Sequence, residues 1–279
     1  MTAITAILPE AFSAAVFLPG DASARRLALQ IERIAPHFRI ALLTGERGTG
    51  KLTVAHRMHA LSPVAAGSLT VLDASVFADS ANDASAHAAP GSLYLEGLDL
   101  VPLNRQPALL ERLDAVSRHL RVLLASESEL RGLLASGRLL QPLFERVGAL
   151  SIRLSPLRER RESIALLASA MLESLNPGAW FNEPALARLK DHSWRGNLDE
   201  LWQVVAQQAA TAEGEITSAQ IELAPAAPDP TPAIRLEDVV ERHVIDVVQR
   251  CAGNKLRAAE LLGISRSTLY RMLDAATHN

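Results

Sequence analysis

Cysteine is almost absent from this sequence, which has a single one, Cys251, among 279 residues. One cysteine cannot form a disulfide bond within the chain, and it leaves no thiolate cluster for a structural zinc ion. The eight histidines are scattered without the spacing of metal ligands. We therefore expect no structural metal site, and a protein that suits a reducing cytoplasm.

Long hydrophobic runs and a strong charge of one sign are missing too. Pro9, Glu10 and Pro19 interrupt the partly apolar N-terminal stretch and no basic run precedes it, so we expect neither a signal peptide nor a membrane span. A formal net charge of −3 excludes a basic protein that coats nucleic acid by electrostatics alone. With 48% hydrophobic and 21% charged residues, the composition indicates a globular chain of roughly two domains.

The hydrophobic pattern of the first half indicates alternating helices and strands. Helical spacing runs over residues 21–35. Apolar runs typical of buried strands occupy residues 39–45, 69–73, 92–96, 120–126 and 149–154. This order predicts an α/β fold in which helices cover both faces of a parallel sheet.

After Pro156 the strands stop and helices are predicted at about 161–174, 183–191 and 198–213, which form a small helical subdomain. Its tryptophans, Trp180, Trp194 and Trp202, are interpreted as packing anchors. A run with four of the fifteen prolines predicts an extended linker. The predicted domains are an α/β core at 1–158, the helical subdomain at 159–222, the linker at 223–233 and a C-terminal module at 234–279.

A glycine-rich loop, GERGTGK, lies between the first predicted strand and a helix. Glycines allow backbone N–H groups to turn around an anion, the helix N-terminus adds partial positive charge, and a lysine can reach the terminal phosphates. The pattern of a phosphate-binding loop fails at its last position, where Leu52 replaces the hydroxyl that normally holds magnesium. Thr53 comes one residue too late. The loop predicts a phosphate site with an altered metal position.

The chain resembles the NtrC-like AAA+ domain of bacterial enhancer-binding proteins, which activate sigma-54 RNA polymerase. Four segments in the family's order carry the resemblance: GERGTGK, GSLYLEGLDLVP, SGRLLQPLFERVGALSIRLSPLRERRESI and HSWRGNLDELWQVV. The resemblance covers nearly the whole chain. It implies an AAA+ parallel-sheet core with a helical lid, a ring of subunits, ATP hydrolysis between them, and a polymerase-contacting loop with the sequence Gly-Ala-Phe-Thr-Gly-Ala.

The catalytic positions that the resemblance implies are altered here. Where the family has an Asp-Glu pair for magnesium and for the attacking water, this chain has Glu96-Gly97. Glu96 keeps a carboxylate for a metal, but Gly97 has no side chain to position water. Glu127 stands where the family has an asparagine that senses the γ-phosphate, so a carboxylate would face an anionic ligand.

Of the two arginines that the family contributes to a neighbouring subunit's site, Leu140 replaces one and Arg146 keeps the other. The sensing arginine of the last segment is Asp199 here, and the nearby Arg195 stands where the family usually has proline. The polymerase-contacting loop is also missing, because only eighteen residues, 74–91, separate two predicted strands and no Gly-Ala-Phe-Thr-Gly-Ala occurs. We interpret this short segment as a plain surface connection.

These departures indicate an AAA+ scaffold without hydrolysis, and we assign no catalytic residue and no metal ligand. The loop either still binds ATP or ADP in a structural or regulatory role or serves the fold alone, and the sequence leaves both open. The candidate nucleotide-binding residues are Gly45, Gly48, Thr49, Gly50, Lys51, Glu96 and Arg146.

The C-terminal residues 234–279 resemble the Fis-type helix-turn-helix domain of the same family, through the run AAELLGISRSTLYR. The first helix carries an apolar stripe too broad to bury alone, so we expect a homodimer or a higher oligomer. Residues 235–249 carry two basic and four acidic side chains, and residues 250–279 carry five and two. Predicted contacts with double-stranded DNA are Lys255, Arg257, Arg266, Ser267, Thr268, Tyr270 and Arg271.

The leading hypothesis is a cytoplasmic DNA-binding transcriptional regulator whose AAA+ domain is catalytically degenerate and mediates oligomerisation or partner binding. No receiver or ligand-sensing domain is expected before the AAA+ part, so a partner, a small molecule or the expression level would supply the signal. One alternative is a working ATPase activator that uses Glu96, Arg146 and Arg195 in an unusual arrangement. Another is an antagonist that inserts into rings of a homologous AAA+ regulator.

Overall fold

The chain divides into two compact units, Met1–Ala224 and Pro225–Asn279. A computed structural model describes residues 22–79 and 90–223 of the first unit and, in the second, residues 255, 259, 263–265 and 268–269. Within these ranges, no helix is long and apolar enough to cross a membrane.

The first unit is built on a five-stranded parallel sheet with the strand order β2-β3-β4-β1-β5. Its strands are β1 Ile40–Thr44, β2 Leu69–Asp73, β3 Gly91–Glu96, β4 Leu120–Ser126 and β5 Ser151–Arg153. Thr44 pairs with Ser126 and Leu95 with Leu124, so β1, β3 and β4 end at the same edge of the sheet. The predicted parallel-sheet α/β core is confirmed.

Helices cover both faces of the sheet. They are α1 Ala22–Ile34, α2 Lys51–Ala60, α3 Ala74–Asp79, α4 Gln106–Val116, α5 Leu130–Ala135 and α6 Gln141–Gly148. Alternate residues of β4 face the two layers: Val122 and Leu124 pack in the cluster with α3 to α6, whereas Leu123 and Ala125 pack with α1 and α2. This alternation is the reason why β4 reads as a continuous apolar run in the sequence.

The helical subdomain follows a short 3₁₀ turn at Leu157–Glu159. It consists of α7 Arg161–Leu175, α8 Glu183–Asp191 and α9 Asn197–Thr211, with a small parallel pair of strands, β6 Trp180–Phe181 and β7 Glu215–Ile216. The three helices match the predicted ranges to within two residues at each end. The two short strands were not predicted.

The tryptophans of this subdomain differ in their surroundings. Trp194 is fully buried and its Nε1 donates to the carbonyl of Leu189 over 2.8 Å, so it is the packing anchor that the sequence predicts. Trp202 is half-buried against the same core. Trp180 is 57% exposed on the two-residue strand β6, so the prediction that it anchors the core is wrong.

The short connection between β2 and β3 is partly helical, which corrects its interpretation as a plain surface connection. Helix α3 starts directly after Asp73, whose Oδ1 accepts hydrogen bonds from the backbone N–H groups of Ser75 and Val76 over 2.7 and 3.1 Å. A carboxylate at this position satisfies free amides of the first turn. Residues 80–89 of the connection lie outside the described residues.

Candidate functional site

The glycine-rich loop between β1 and α2, residues 45–50 (the P-loop), is held in its curved shape by hydrogen bonds from the side chains of Thr49 and Lys51. The Nζ atom of Lys51 donates to the carbonyls of Gly45 and Glu46 over 2.8 and 2.9 Å. The Oγ1 atom of Thr49 donates to the Glu46 carbonyl over 2.8 Å, and both side chains are buried. Gly50 caps α2 at a φ of 91°, a left-handed conformation that favours glycine. The loop therefore has the curved backbone that a phosphate site requires.

The residue after the lysine does not face this loop as a metal ligand would. Leu52 is half-buried and packs against the apolar cluster between α2 and the sheet. Thr53, the next hydroxyl along the chain, is buried at 7% exposure. Within the described ranges, no group of three or more histidine, cysteine, aspartate or glutamate side chains could hold a metal ion.

The turn that begins α9 lies directly on the P-loop. The backbone N–H of Leu198 donates to the Gly48 carbonyl over 2.9 Å, and Asn197 Nδ2 donates to the Arg47 carbonyl over 2.8 Å. A Cβ atom on Gly48 would lie 2.2 Å from the carbonyl oxygen of Gly196, so only glycine fits there. The helical subdomain thus holds the P-loop by hydrogen bonds to the backbone carbonyls of the loop.

Glu46 joins the same contact through an ion pair. Both of its oxygens bind the guanidinium of Arg158, over 2.7 and 2.5 Å, and Asn197 Nδ2 lies 3.3 Å from Oε2. The hydrogen bonds from Arg158 lower the pKa of the Glu46 carboxyl. Asn197 also accepts a hydrogen bond from the Leu157 N–H over 2.8 Å and is fully buried.

This clamp of Glu46, Arg158 and Asn197 was not assigned any role from the sequence. All three residues lie within segments that carry the family resemblance, GERGTGK, LRERR and RGNL. That clustering is the signal that could have identified them. The pairing itself joins positions 112 and 151 residues apart, which no local pattern reveals.

The ends of β3 and β4 lie beside the P-loop. Glu96 is exposed at the end of β3, and Gly97 follows at a φ of 75° with ordinary van der Waals space around its missing Cβ. Asp99 accepts hydrogen bonds from the Glu127 backbone N–H over 3.1 Å and from the Ser128 hydroxyl over 3.2 Å. Asp99 was not among the residues singled out from the sequence.

Four carboxylates are close enough to Lys51 to act on its ammonium group. They belong to Glu127, Glu96, Asp99 and Asp199. Burial lowers the pKa of Lys51, and these charges oppose that shift. Burial also raises the pKa of Asp199, against the opposing charges of Arg47 and Lys51. Acidic side chains therefore outnumber the cations at the phosphate end of the site.

Arg146 is held elsewhere on the first unit. Its Nε atom binds Asp114 Oδ1 over 2.5 Å and its guanidinium donates to the Ser117 hydroxyl over 3.1 Å, both at the end of α4. None of the P-loop contacts described above involves it. The structure brings together Gly45, Gly48, Thr49, Gly50, Lys51 and Glu96 of the predicted nucleotide site.

A separate cleft of about 180 Å³ opens between α1 and the segment after β5. Its lining is polar and basic, with Arg26, Arg153 and Arg160 among the residues, and it was not predicted. Ser155, another lining residue, follows Leu154, whose carbonyl lies 2.8 Å from the Cβ position of Gly45. The cleft therefore adjoins the entry to the P-loop.

In the second unit the described residues outline a helix-turn-helix junction. Gly263 has a φ of 65°, and the Ser265 hydroxyl accepts a hydrogen bond from the Thr268 N–H over 3.1 Å as an N-cap would. Leu269 is fully buried and Lys255 is exposed. Of the other predicted DNA contacts, Arg257, Arg266, Ser267, Tyr270 and Arg271 lie outside the described residues.

Family models match three consecutive parts of the chain. They are a sigma-54 interaction domain at residues 21–157, an AAA+ ATPase lid domain at 158–229, and a bacterial regulatory protein of the Fis family at 236–275.

Curated relatives of the chain include transcriptional regulators. The C4-dicarboxylate transport transcriptional regulatory protein DctD of Pseudomonas aeruginosa is 30% identical, over 91% of this chain and 62% of that protein. The DNA-binding transcriptional regulator NtrC of Azospirillum brasilense is 27% identical, over 83% and 63%. The chain spans about three fifths of the length of these relatives.

Among solved structures, NtrX from Brucella abortus superposes with a TM-score of 0.64 at 24% identity, over 95% of this chain and 70% of that one. The same protein has been crystallised in complex with ADP and with ATP, with TM-scores of 0.61 and 0.62. At this identity the likeness shows the fold alone.

Proposed function

Because the chain belongs to the bacterial regulators that combine a sigma-54 interaction domain, an AAA+ lid and a Fis-family domain, we propose that it regulates transcription by binding DNA without hydrolysing ATP. The proposed domains are the α/β core at 1–158, the lid at 159–222, the linker at 223–233 and the DNA-binding domain at 234–279. Its proposed partners are double-stranded DNA, a second copy of the chain and a homologous AAA+ regulator, in the cytoplasm.

The observation that carries the loss of hydrolysis is the end of β3, where Gly97 follows Glu96. A carboxylate that orients the attacking water would need a side chain at this position, and Gly97 has none. Loss of a general base typically slows an enzyme by ~10²–10⁴-fold. Loss of a trans-acting arginine, for which Leu140 stands here, by itself costs ~10³–10⁵-fold in phosphoryl transfer.

The DNA-binding role is supported by the Fis-family match and by the capped turn at Ser265. The excess of basic side chains in residues 250–279 falls on this part of the chain. Direct readout by a helix in the major groove and phosphate contacts by lysine and arginine are the interactions that such a unit makes. The proposed contact residues are the seven named from the sequence: Lys255, Arg257, Arg266, Ser267, Thr268, Tyr270 and Arg271.

The first unit has no Gly-Ala-Phe-Thr-Gly-Ala segment and has only eighteen residues between Asp73 and Ser92. We therefore propose that it does not activate sigma-54 polymerase itself. Its role is then oligomerisation or the binding of a partner, with the AAA+ fold as scaffold.

Steady-state phosphate release tests the loss of hydrolysis. The purified chain and the Lys51→Ala variant are expected to release phosphate at the same background rate, and Lys190→Ala serves as the matched control on the lid. A rate above background that drops in Lys51→Ala alone would restore the working ATPase as the better hypothesis.

Footprinting on fragments recovered by genome-wide mapping of bound DNA tests the second unit. Arg266→Ala and Arg271→Ala are expected to remove protection of a palindromic site, because both remove a groove or phosphate contact. Arg242→Ala, which changes a basic residue in the helix predicted to come first in the same domain, is the control and keeps the footprint. Unchanged protection in both variants, with the oligomer intact on a sizing column, overturns the assignment of the reading helix.

A further inference from the structure

The P-loop fits the inner phosphates of a nucleotide. Its backbone is curved by glycines, Gly48 and Gly50 have left-handed conformations, and the ammonium of Lys51 already lies against the loop carbonyls. Backbone amides in such a turn, with the start of α2 behind them, bind phosphate oxygens without the help of any catalytic side chain. These amides and the Lys51 ammonium are the groups of the loop that favour a diphosphate.

The other half of the site is acidic. Glu96 ends β3 and Glu127 follows β4, and the register of these neighbouring strands places both at the edge where β1 leads into the P-loop. Asp99 is tied to the same place, because its carboxylate accepts the backbone N–H of Glu127. From the lid, Asp199 comes within 3.2 Å of the Cβ position of Gly48.

A third phosphate would meet this acidic half. In a phosphate-binding loop the lysine reaches the outermost phosphates, and here the charges of four carboxylates already act on that lysine. Each further phosphate oxygen near Lys51 therefore adds negative charge where carboxylates exceed the cations Lys51 and Arg47. Like charges repel each other more strongly in a partly desolvated site than in water.

A magnesium ion is poorly placed to relieve this repulsion. Leu52 replaces the hydroxyl that holds the ion beside such a loop, and it packs into the apolar cluster instead. Both carboxylate oxygens of Asp99 are occupied by Glu127 and Ser128.

We propose that the P-loop binds a nucleoside diphosphate in preference to the corresponding triphosphate. The inference rests on the proposed loss of hydrolysis, since a working ATPase must bind the triphosphate productively. Such a site would bind nucleotide without hydrolysing it.

Calorimetric titration of the full chain with ADP and with ATP tests the proposal, once in EDTA and once in excess magnesium. ADP is expected to bind at least about tenfold more tightly than ATP under both conditions, because electrostatic repulsion acts on the added phosphate. Equal or tighter binding of ATP under either condition overturns the proposal, and so does the absence of binding by both nucleotides. In each of these outcomes the footprint and phosphate-release experiments still decide the proposed function independently.

Charge-neutralising variants test whether the carboxylates are the cause. Glu127→Gln and Asp199→Asn each remove one negative charge and keep the shape of the side chain, and each is expected to tighten ATP binding several-fold while ADP affinity changes less. Glu129→Gln is the matched control, because its carboxylate lies two residues beyond Glu127 and pairs with Arg153 rather than acting on Lys51. An unchanged ratio of the two affinities in both variants, or the same change in the control, overturns the assignment.

Discussion

The P-loop and the adjoining ends of β3 and β4 (the strand edge) differ in what holds them in place. The P-loop is fixed by backbone contacts with the lid and by the ion pair between Glu46 and Arg158. The strand edge carries exposed carboxylates, such as Glu96 and Glu127. A phosphate loop of this kind is needed by the fold whether or not it turns over a nucleotide, so its presence alone is no evidence of catalysis.

The largest effect is expected for Asn197→Ala, which removes the side chain that joins the lid to the P-loop. The substitution leaves the Leu157 N–H and the Arg47 carbonyl without their partner, and alanine tolerates the φ of 53° poorly. We expect a loss of about 3 kcal/mol in the free energy of unfolding, measured by urea denaturation. Asn197→Gly removes the same hydrogen bonds without the backbone strain, so an equal loss in both variants would show that strain contributes nothing.

A somewhat smaller effect is expected for Gly48→Ala. Its Cβ would lie 2.2 Å from the Gly196 carbonyl at a φ of 73°. Gly137→Ala has a similar φ of 67° with no atom within 4 Å, and is therefore the control for backbone strain alone. We expect losses of roughly 2–3 kcal/mol for Gly48→Ala and about 1 kcal/mol for Gly137→Ala. Equal losses in the free energy of unfolding would mean that the added Cβ of residue 48 does not clash with the lid.

Glu46→Gln is expected to destabilise the fold by about 1 kcal/mol at neutral pH, because the ion pair with Arg158 is partly exposed to solvent. The pKa of Glu46 is lowered in the folded chain, so the stabilisation is present above the ordinary carboxyl pKa and is lost as the pH falls through the lowered value. Urea denaturation of both proteins from pH 7 into the acid range measures this, and a difference that grows towards acid pH would contradict the assignment.

The smallest effect is expected at the strand edge. Glu96→Gln changes an exposed side chain, and its effect on the free energy of unfolding should stay within about 0.5 kcal/mol. The same denaturation experiment measures it beside Glu46→Gln. A loss as large as that of Glu46→Gln would mean that the strand edge supports the fold as the P-loop does.

Much of the fold follows from the hydrophobic pattern alone. Buried strands such as β4 read as continuous apolar runs, and the lid helices have helical periodicity with clear boundaries, so both were predicted within a few residues. It is harder to predict whether a single side chain is buried or exposed, because residue type alone does not distinguish a core position from a position on an exposed edge strand. Trp180 is the example, since it lies on the two-residue strand β6 with little to cover it.

Part of the site could be predicted from motif positions, whereas the rest depends on contacts that the sequence does not reveal. Matching motif positions in order identified Glu96, Glu127 and Asp199, and all three act on Lys51 in the structure. Asp99 was missed because it occupies no catalytic position in the motif, although its carboxylate is held at the same edge. Contacts between segments far apart in the chain, such as that of Glu46 with Arg158, depend on the packing of whole subdomains and leave no local pattern.

The left-handed turn at Asn197 has a mechanical consequence. It begins α9 and binds two carbonyls of the P-loop, so a rearrangement of the loop either moves the first turn of this helix with it or breaks these hydrogen bonds. Helix α9 runs fifteen residues through the core of the lid, where Leu201 and Val205 are fully buried. The hydrogen bonds at Asn197 and Leu198 therefore couple the position of the P-loop directly to the packing of the lid.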